Sequence, residues 1–391
     1  AQGRGRGKGG SGGAARNRTT RALPEPDFPV DVVYTWAGDP DEEELKLLER
    51  ECPRDPGGKQ RWRDTGTFEV SVELTIQNMP WVRTIHVVTD GEVPCWLNTT
   101  HPKVNMVSHS DFFGEAADVL PVHNVDSINA NMPHIDALAE HFIQIEDDMS
   151  ILKPVSKSDF FSPDGDVRLI TSRERYDEMA RHVEGLMRRG EWPPAELEGL
   201  PNHGIMDHQP MVRRKSWYRE VERVWPEWIQ RERRLKCRAD KPTAGAPKWV
   251  LDLVKRIPLP EWLYKTAYRI GEIPILESKS IHGITAVMNM YSVYKTLSSS
   301  YRYSDLTFAW GNDKSYGLRK GGHSPVASVK TLEAFFDSLR ETRPHSLTLN
   351  DDLETMDDDL FIKQQQVMLD FLEEVRPKSK ILVNQALCLP S

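Results

Sequence analysis

The sequence predicts an α/β fold built on a mostly parallel sheet, and three observations predict it. From Val30 onward, short runs rich in Val and Ile alternate with longer stretches of helical character, the pattern of successive β-α-β units. The residues just after most of these apolar runs are strongly polar, with Asp and Gly, which favour turns, recurring among them. The chain has 391 residues, 38% of them hydrophobic and 11 of them Trp, which suits one large core elaborated by insertions.

Residues 1–27 are rich in Gly and Arg with almost no apolar content, so they cannot offset the entropy of ordering and read as a flexible tail. An arm that binds RNA or an acidic surface is the competing reading of that tail. Residues 28–172 form the α/β core. Its strands are predicted at Val30–Trp36, Thr84–Thr89, Val104–Ser108, Phe142–Ile145 and Val167–Ile170. Between them lie helices at Asp41–Glu51, whose acidic first turn suits the helix dipole, at Thr67–Asn78, and at Val125–Ala139 with a break near Pro133. Residues 173–272 turn mostly helical, with segments near Arg173–Arg189, Met211–Arg233 and Lys248–Arg269, and read as an insertion or lid on the substrate side. Residues 273–391 complete the domain. They hold an apolar zone at Pro274–Met290, the stretch Tyr303–Trp310, a loop at Gly317–Ser324, a strand at Ser346–Leu349 and a helix through Phe371.

Composition removes several classes of function. A formal net charge of -8 argues against a general nucleic-acid binder, which needs clustered excess cations to displace counterions. Cys52, Cys95, Cys237 and Cys388 show no C-x-x-C spacing, which argues against zinc or a redox pair and leaves room for two disulfides. No apolar run reaches membrane-spanning length, and the leading Ala suggests a trimmed chain or a fragment. Asn17 and Asn98 open N-x-T triplets, usable as glycan acceptors only in a secretory protein.

Ligands of open α/β sheets gather beyond the carboxyl ends of the strands, and those ends are acidic here. The first strand runs into Ala37-Gly38-Asp39-Pro40-Asp41, the second into Asp90-Gly91, the third into His109-Ser110-Asp111 and the fourth into Glu146-Asp147-Asp148. Turn chemistry explains part of this, since Asp and Gly favour turns. Clustered carboxylates at a strand end can also hold Mg²⁺ or Mn²⁺ against the phosphates of a nucleotide sugar. Strand alternation would put Glu146 and Asp148 on one face and Asp147 on the other unless the chain bends. His208 offers a titratable imidazole ahead of Arg213-Arg214-Lys215, cations suited to phosphate oxygens, although a lone histidine and a cationic helix face are more often structural. There is no G-x-x-x-x-G-K-[ST] loop and no G-x-S-x-G elbow, so neither a P-loop kinase nor an α/β-hydrolase is supported.

These residues resemble the Stealth family of sugar-1-phosphate transferases. Asp31-Val32-Val33-Tyr34-Thr35-Trp36 with Gly38 and Asp39 is similar to the family's first block. Arg63-Asp64 with Gly66, Pro80-Trp81-Val82-Arg83, Val87-Val88-Thr89-Asp90-Gly91, Pro94 with Trp96-Leu97, His109 with Asp111, Leu120-Pro121, Asn124, Ile128 and Phe142-Ile143 leading into Asp147-Asp148 resemble the second. His208, Pro210, Arg214-Lys215-Ser216 and Trp225-Pro226-Glu227 resemble the third, and Leu349-Asn350-Asp351-Asp352 the fourth.

The resemblance implies a fold related to the GT-A glycosyltransferases, a UDP-sugar donor, a glycan or glycoprotein acceptor and a divalent ion. It implies transfer of sugar-1-phosphate to a hydroxyl with release of UMP. By resemblance Asp147 and Asp148 hold the metal and act in catalysis with His208 as acid or base. Asp31, Trp36, Asp39, Asn124, Arg214, Lys215, Asn350 and Asp351 would contact substrate. The family's setting would be a Golgi lumen or a cell envelope. A glycosyltransferase that releases UDP is the alternative, and a catalytically silent carbohydrate-binding relative a third. The chain departs from the family pattern at Glu69 and Glu73, where the family has Arg, at Glu146, where it has Asn, at Asn129, where it has Glu, and at Pro133-His134, where it has His-Arg.

Overall fold

A strand that is apolar on both faces belongs in the middle of a parallel sheet, and Val30–Thr35 (β1) takes that place. Val30, Val32, Val33 and Tyr34 are fully buried. The computed structural model describes residues 24–38, 42–53, 65–170, 173–194, 210–237, 243–244, 279–280, 283–298, 307–308, 314–319, 329–352, 358–377, 382 and 388. Beside β1 lie Ile85–Thr89 (β2) and Val104–Ser108 (β3) on one side and His141–Glu146 (β4) on the other, all parallel. After β4 come two short strands, Met149–Ile151 (β5) and Leu169–Ile170 (β6), and then Met211–Arg214 (β7). The order of the five-stranded sheet is β3-β2-β1-β4-β7, with β7 antiparallel to β4.

Helices cover both faces. Between β1 and β2 run Glu42–Glu51 (α1) and Thr67–Asn78 (α2), followed after β3 by His109–Phe112 (α3) and Val125–Asn131 (α4). Tyr34 points at α2, where its buried hydroxyl bonds to Ser71 Oγ and Thr75 Oγ1, each at 2.7 Å. The neighbouring register position, Val33 opposite Gln144, faces the other way, and Gln144 donates to Asn129 of α4 at 2.8 Å. Alternation along the strands therefore sets α2 and α4 on opposite sides. Helix α4 stops at Asn131 and tightens into the 3-10 turn Met132–His134, where Pro133 cannot continue it.

Four sequence expectations are corrected. Val167–Ile170 does not join the main sheet, because Val167 makes only an isolated bridge to Phe161 and β6 pairs with Thr307–Phe308 (β10). Val125–Ala139 ends as a helix at Asn131 for the reason above. Met211–Arg233 begins as a strand, not a helix, since β7 finds an open edge on β4 before the chain turns into Lys215–Val224 (α6) and Pro226–Glu232 (α7). The expected loop at Gly317–Ser324 starts inside Lys314–Arg319 (β11), which pairs in parallel with Ser346–Asp352 (β12). The other described elements are Arg173–Arg189 (α5), the strand pair Thr243–Ala244 (β8) and Lys279–Ser280 (β9), Ile284–Ser298 (α8), Val329–Thr342 (α9) and Asp358–Val375 (α10). Lys248–Arg269 lies outside the described residues.

Two apolar clusters result. The larger surrounds the five-stranded sheet and takes in α5, α6 and α8. The smaller joins Val70 and Leu74 on the far side of α2 to Leu332 and Phe336 of α9, Leu347 and Leu349 of β12, and Phe371 and Leu372 of α10. Helix α2 is thus a shared wall between the sheet and the C-terminal layer. All four cysteines are bridged, Cys52 to Cys237 and Cys95 to Cys388, with Cα separations of 5.5 and 5.1 Å. Among the described residues, no helix is long and apolar enough to cross a membrane.

Candidate functional site

One acidic strand end lies where β4 leaves the sheet. Glu146 is the last residue of β4, opposite Thr35 of β1, and Asp147-Asp148 form the turn into β5. The bend that strand alternation required is present. It exists because β5 does not continue in the main sheet but pairs antiparallel with β12 in a second one. The three carboxylates are partly exposed at the junction of the two sheets.

Helix α2 holds that junction from behind. Ser71 donates to the carbonyl of Met149, and Asn78 donates to the carbonyl of Ile151 at 2.6 Å. From the other side, the amide of Leu349 donates to the carbonyl of Asp148 at 2.9 Å. Because Thr348 lies opposite Met149, the fourth sequence block, Leu349-Asn350-Asp351-Asp352, runs on past the Asp147-Asp148 turn. The backbones of Asn350 and Asp351 pair with Gly317 and Leu318; their side chains lie outside the described residues. Among the described residues, no three His, Cys, Asp or Glu side chains converge to close a metal cage.

Trp36 and Gly38 follow β1 at the same edge, and His109 follows β3. Trp36, just past β1, is partly buried and stacks on Phe68 with ring centroids 6.2 Å apart. Gly38 packs so closely on Glu92 that a Cβ there would lie 1.8 Å from Glu92 Oε2, so no larger residue fits this turn without moving Glu92. His109, at the end of β3, is 7% exposed, and burial lowers its pKa to about 4 against the pull of Asp90, leaving a neutral ring at neutral pH. The sequence signal for this residue was its place at a strand end. Asp39 and His208 lie outside the described residues. The strand that follows His208, β7, begins with Met211 opposite Gln144, near the carboxyl end of β4.

Four of the expected substrate contacts have protein partners of their own. Asp31 sits at the amino end of β1, four residues or about 13 Å from Thr35. It is fully buried and occupied: Arg83 Nε donates to Oδ1 at 2.8 Å, Ala139 N donates to Oδ2 at 2.7 Å, and His86 Nε2 is 3.1 Å away. Burial raises its pKa, but these partners together outweigh that and lower it. Arg214 and Lys215 are carried to the same amino end because β7 is antiparallel, with Arg214 opposite His141. Arg214 donates to the carbonyl of Gly165 at 3.2 Å, and Lys215 to that of Ile135 at 3.1 Å. Arg213 faces the interior, 2% exposed, and donates to Asn289 Oδ1 at 2.9 Å. The three cations thus have protein partners at the amino end of the sheet. Asn124 is the N-cap of α4, accepting from Asp126 N at 2.9 Å and donating to Cys237 O at 2.8 Å, so its polar atoms are already used.

The departures at Glu69 and Glu73 acquire a local reason. Glu69 ion-pairs with buried Arg376 at the end of α10, and Glu73, 1% exposed, accepts from the amide of Leu382 at 2.7 Å. Both anchor the C-terminal layer to α2.

Fold and rim together define an α/β protein with a polar edge at the carboxyl end of a mostly parallel sheet. Residues 61–169, which include β2 through β5 and the acidic turn, match the family model described as Stealth protein CR2, conserved region 2, so the resemblance seen in the sequence is borne out over that stretch. An exopolysaccharide phosphotransferase of Streptomyces coelicolor is 34% identical over 218 residues, 53% of this chain and 36% of that one. A capsular polysaccharide phosphotransferase of Haemophilus influenzae is 34% identical over 158 residues, 39% of this chain and 43% of that one. One of Streptococcus thermophilus is 34% identical over 138 residues, 34% and 57% of the two chains. The matches thus span between about a third and three fifths of these relatives' lengths. Mouse xyloside xylosyltransferase 1 overlays with a TM-score of 0.32 at 8% identity, covering 82% of this chain and 98% of that one, a likeness too loose to bear on function.

Proposed function

We propose that this chain moves a sugar-1-phosphate from a UDP-sugar to a hydroxyl of a glycan acceptor and releases UMP. One observation carries the reading: Asp147 and Asp148 stand at the carboxyl end of β4, where two sheets meet, inside the stretch that matches Stealth conserved region 2. The relatives named exopolysaccharide and capsular polysaccharide phosphotransferases support it.

Two partly exposed carboxylates in a turn suit a hard divalent cation, Mg²⁺ or Mn²⁺, of the kind held by one or two protein carboxylates together with substrate phosphates and water. When bound, such an ion offsets negative charge on the leaving nucleotide. The protein's own contribution is to fix both carboxylates through α2 and β12 and to close the rim with Trp36 and the Gly38 turn. His208, three residues ahead of β7, is proposed to take the proton from the attacking hydroxyl. Asp39, one residue past Gly38, and Asn350 and Asp351 of β12 are proposed as donor contacts.

The test is incubation with Mg²⁺ or Mn²⁺ and UDP-sugars labelled at the sugar-side phosphate. UMP release with label in the acceptor is the expected result. UDP release would make the chain an ordinary glycosyltransferase, and binding with no release a silent carbohydrate-binding relative.

A further inference from the structure

A polar pocket lies apart from the acidic turn. It occupies about 360 Å³ between α3 with the 3-10 turn Gly114–Val119 and helices α6 and α7, a volume within the range of small-molecule sites. Helix α3 follows β3, the far edge strand, three strand spacings or about 14 Å from β4.

The lining is organised. Glu222 receives Arg233 Nη1 at 2.7 Å and Nη2 at 3.1 Å, and Gln230 Nε2 at 3.4 Å. Arg233 is 7% exposed, so this guanidinium is fixed and already neutralised. Asn131 is 1% exposed and spends its amide nitrogen on the carbonyls of Ser127 and Arg233, both at 3.0 Å. Its Oδ1 is buried with no partner among the described residues. A buried acceptor left without a donor is costly, and this one belongs to a residue of the pocket lining. Asp111 and Glu115 add two more carboxylates.

Among the described lining residues acceptors exceed free donors, Arg233 is paired with Glu222, and burial lowers the pKa of His134, disfavouring its charged form. Phosphate and carboxylate ligands meet like charge here, whereas a sugar ring brings several hydroxyl donors that can also accept from Gln230 or Arg233. We propose that this pocket binds one uncharged, hydroxyl-rich sugar unit and serves as a subsite for the acceptor glycan. The acceptor role rests on the phosphotransfer reading above; sugar binding itself does not.

The experiment is saturation-transfer NMR on the full chain, without metal or nucleotide, using methyl α-D-mannopyranoside, methyl β-D-glucopyranoside and methyl β-D-galactopyranoside, with α-D-glucose 1-phosphate as the anionic probe. Two variants accompany the wild type. Glu222→Gln removes charge while keeping shape, and Glu115→Trp puts a bulky ring into the pocket lining from an exposed position. Transfer to at least one neutral glycoside, reduced at least twofold by Glu222→Gln and abolished by Glu115→Trp with unchanged circular dichroism, is the expected result. No transfer to any glycoside means that solvent fills the pocket, and the proposal falls. Transfer that both variants retain, or glucose 1-phosphate binding that Glu115→Trp removes, also overturns it. In turnover assays Glu115→Trp should raise the acceptor KM at least tenfold and leave the donor KM unchanged. A chain that binds glycosides at this pocket but transfers nothing would sink the phosphotransfer reading alone.

Discussion

The amide of Leu349 donates to the carbonyl of Asp148 at 2.9 Å, tying two acidic sequence blocks far apart in the chain into one backbone ladder. Asp148 therefore has a fixed main chain and a partly exposed side chain, the combination expected of a functional carboxylate.

Asp147→Asn and Asp148→Asn should each lower kcat/KM by about 100-fold or more, beyond the loss typical of residues that merely support a metal ligand. Thermal melting should be nearly unchanged, because neither side chain is in an apolar cluster. Wild-type turnover in either variant would remove that residue from the site.

Asp31→Asn and Arg214→Ala should behave oppositely to those two. Asp31 lies in a buried network with Arg83, so its neutralisation should cost about 3 kcal/mol of stability. Arg214 contacts Glu140 and Gly165, and its loss should cost about 1 kcal/mol. Neither should change the donor KM in assays run well below the melting temperature; a raised donor KM would put the amino end of the sheet back into the site.

Glu69→Arg, which installs the residue the family carries, should destabilise this chain by about 3–5 kcal/mol by placing a cation beside buried Arg376. Urea unfolding reads it directly. The double variant Glu69→Arg with Arg376→Glu should recover part of the loss if the pair, and not the individual residue types, is what matters.

Stability should fall steeply between about pH 6.5 and pH 4. Burial lowers the pKa of both His109 and His141 to about 4, with Arg214 adding to the effect at His141. In the unfolded chain both protonate near pH 6.5, so the unfolded state binds more protons throughout that interval. The stabilisation from keeping them neutral is complete above pH 6.5 and lost as the pH reaches 4, about 2–3 kcal/mol for each ring. Asp31, whose pKa is lowered, adds a further loss only below about pH 3.9. Urea midpoints at pH 7.5, 5.5 and 4.5 measure the slope; a flat profile would contradict the burial of neutral rings.

The sequence by itself determined the elements whose signal is local. Four parallel strands of the sheet were legible as short runs rich in Val and Ile, and the helices Thr67–Asn78 and Arg173–Arg189 as longer stretches of helical character. The acidic strand ends, including Asp147-Asp148, were legible because each follows directly on an apolar run. Tertiary structure decided what depends on partners. Strand direction sent Arg214 and Lys215 to the amino end, since β7 reads alike in sequence whether it pairs parallel or antiparallel. Burial turned Asp31 into an ion-pair anchor and Asn124 into a helix cap, although both match the family motif. The bend at Asp147-Asp148 and the approach of Leu349–Asp352 arise because β5 pairs with a strand far along the chain, and no local pattern specifies which distant edge a short strand will find.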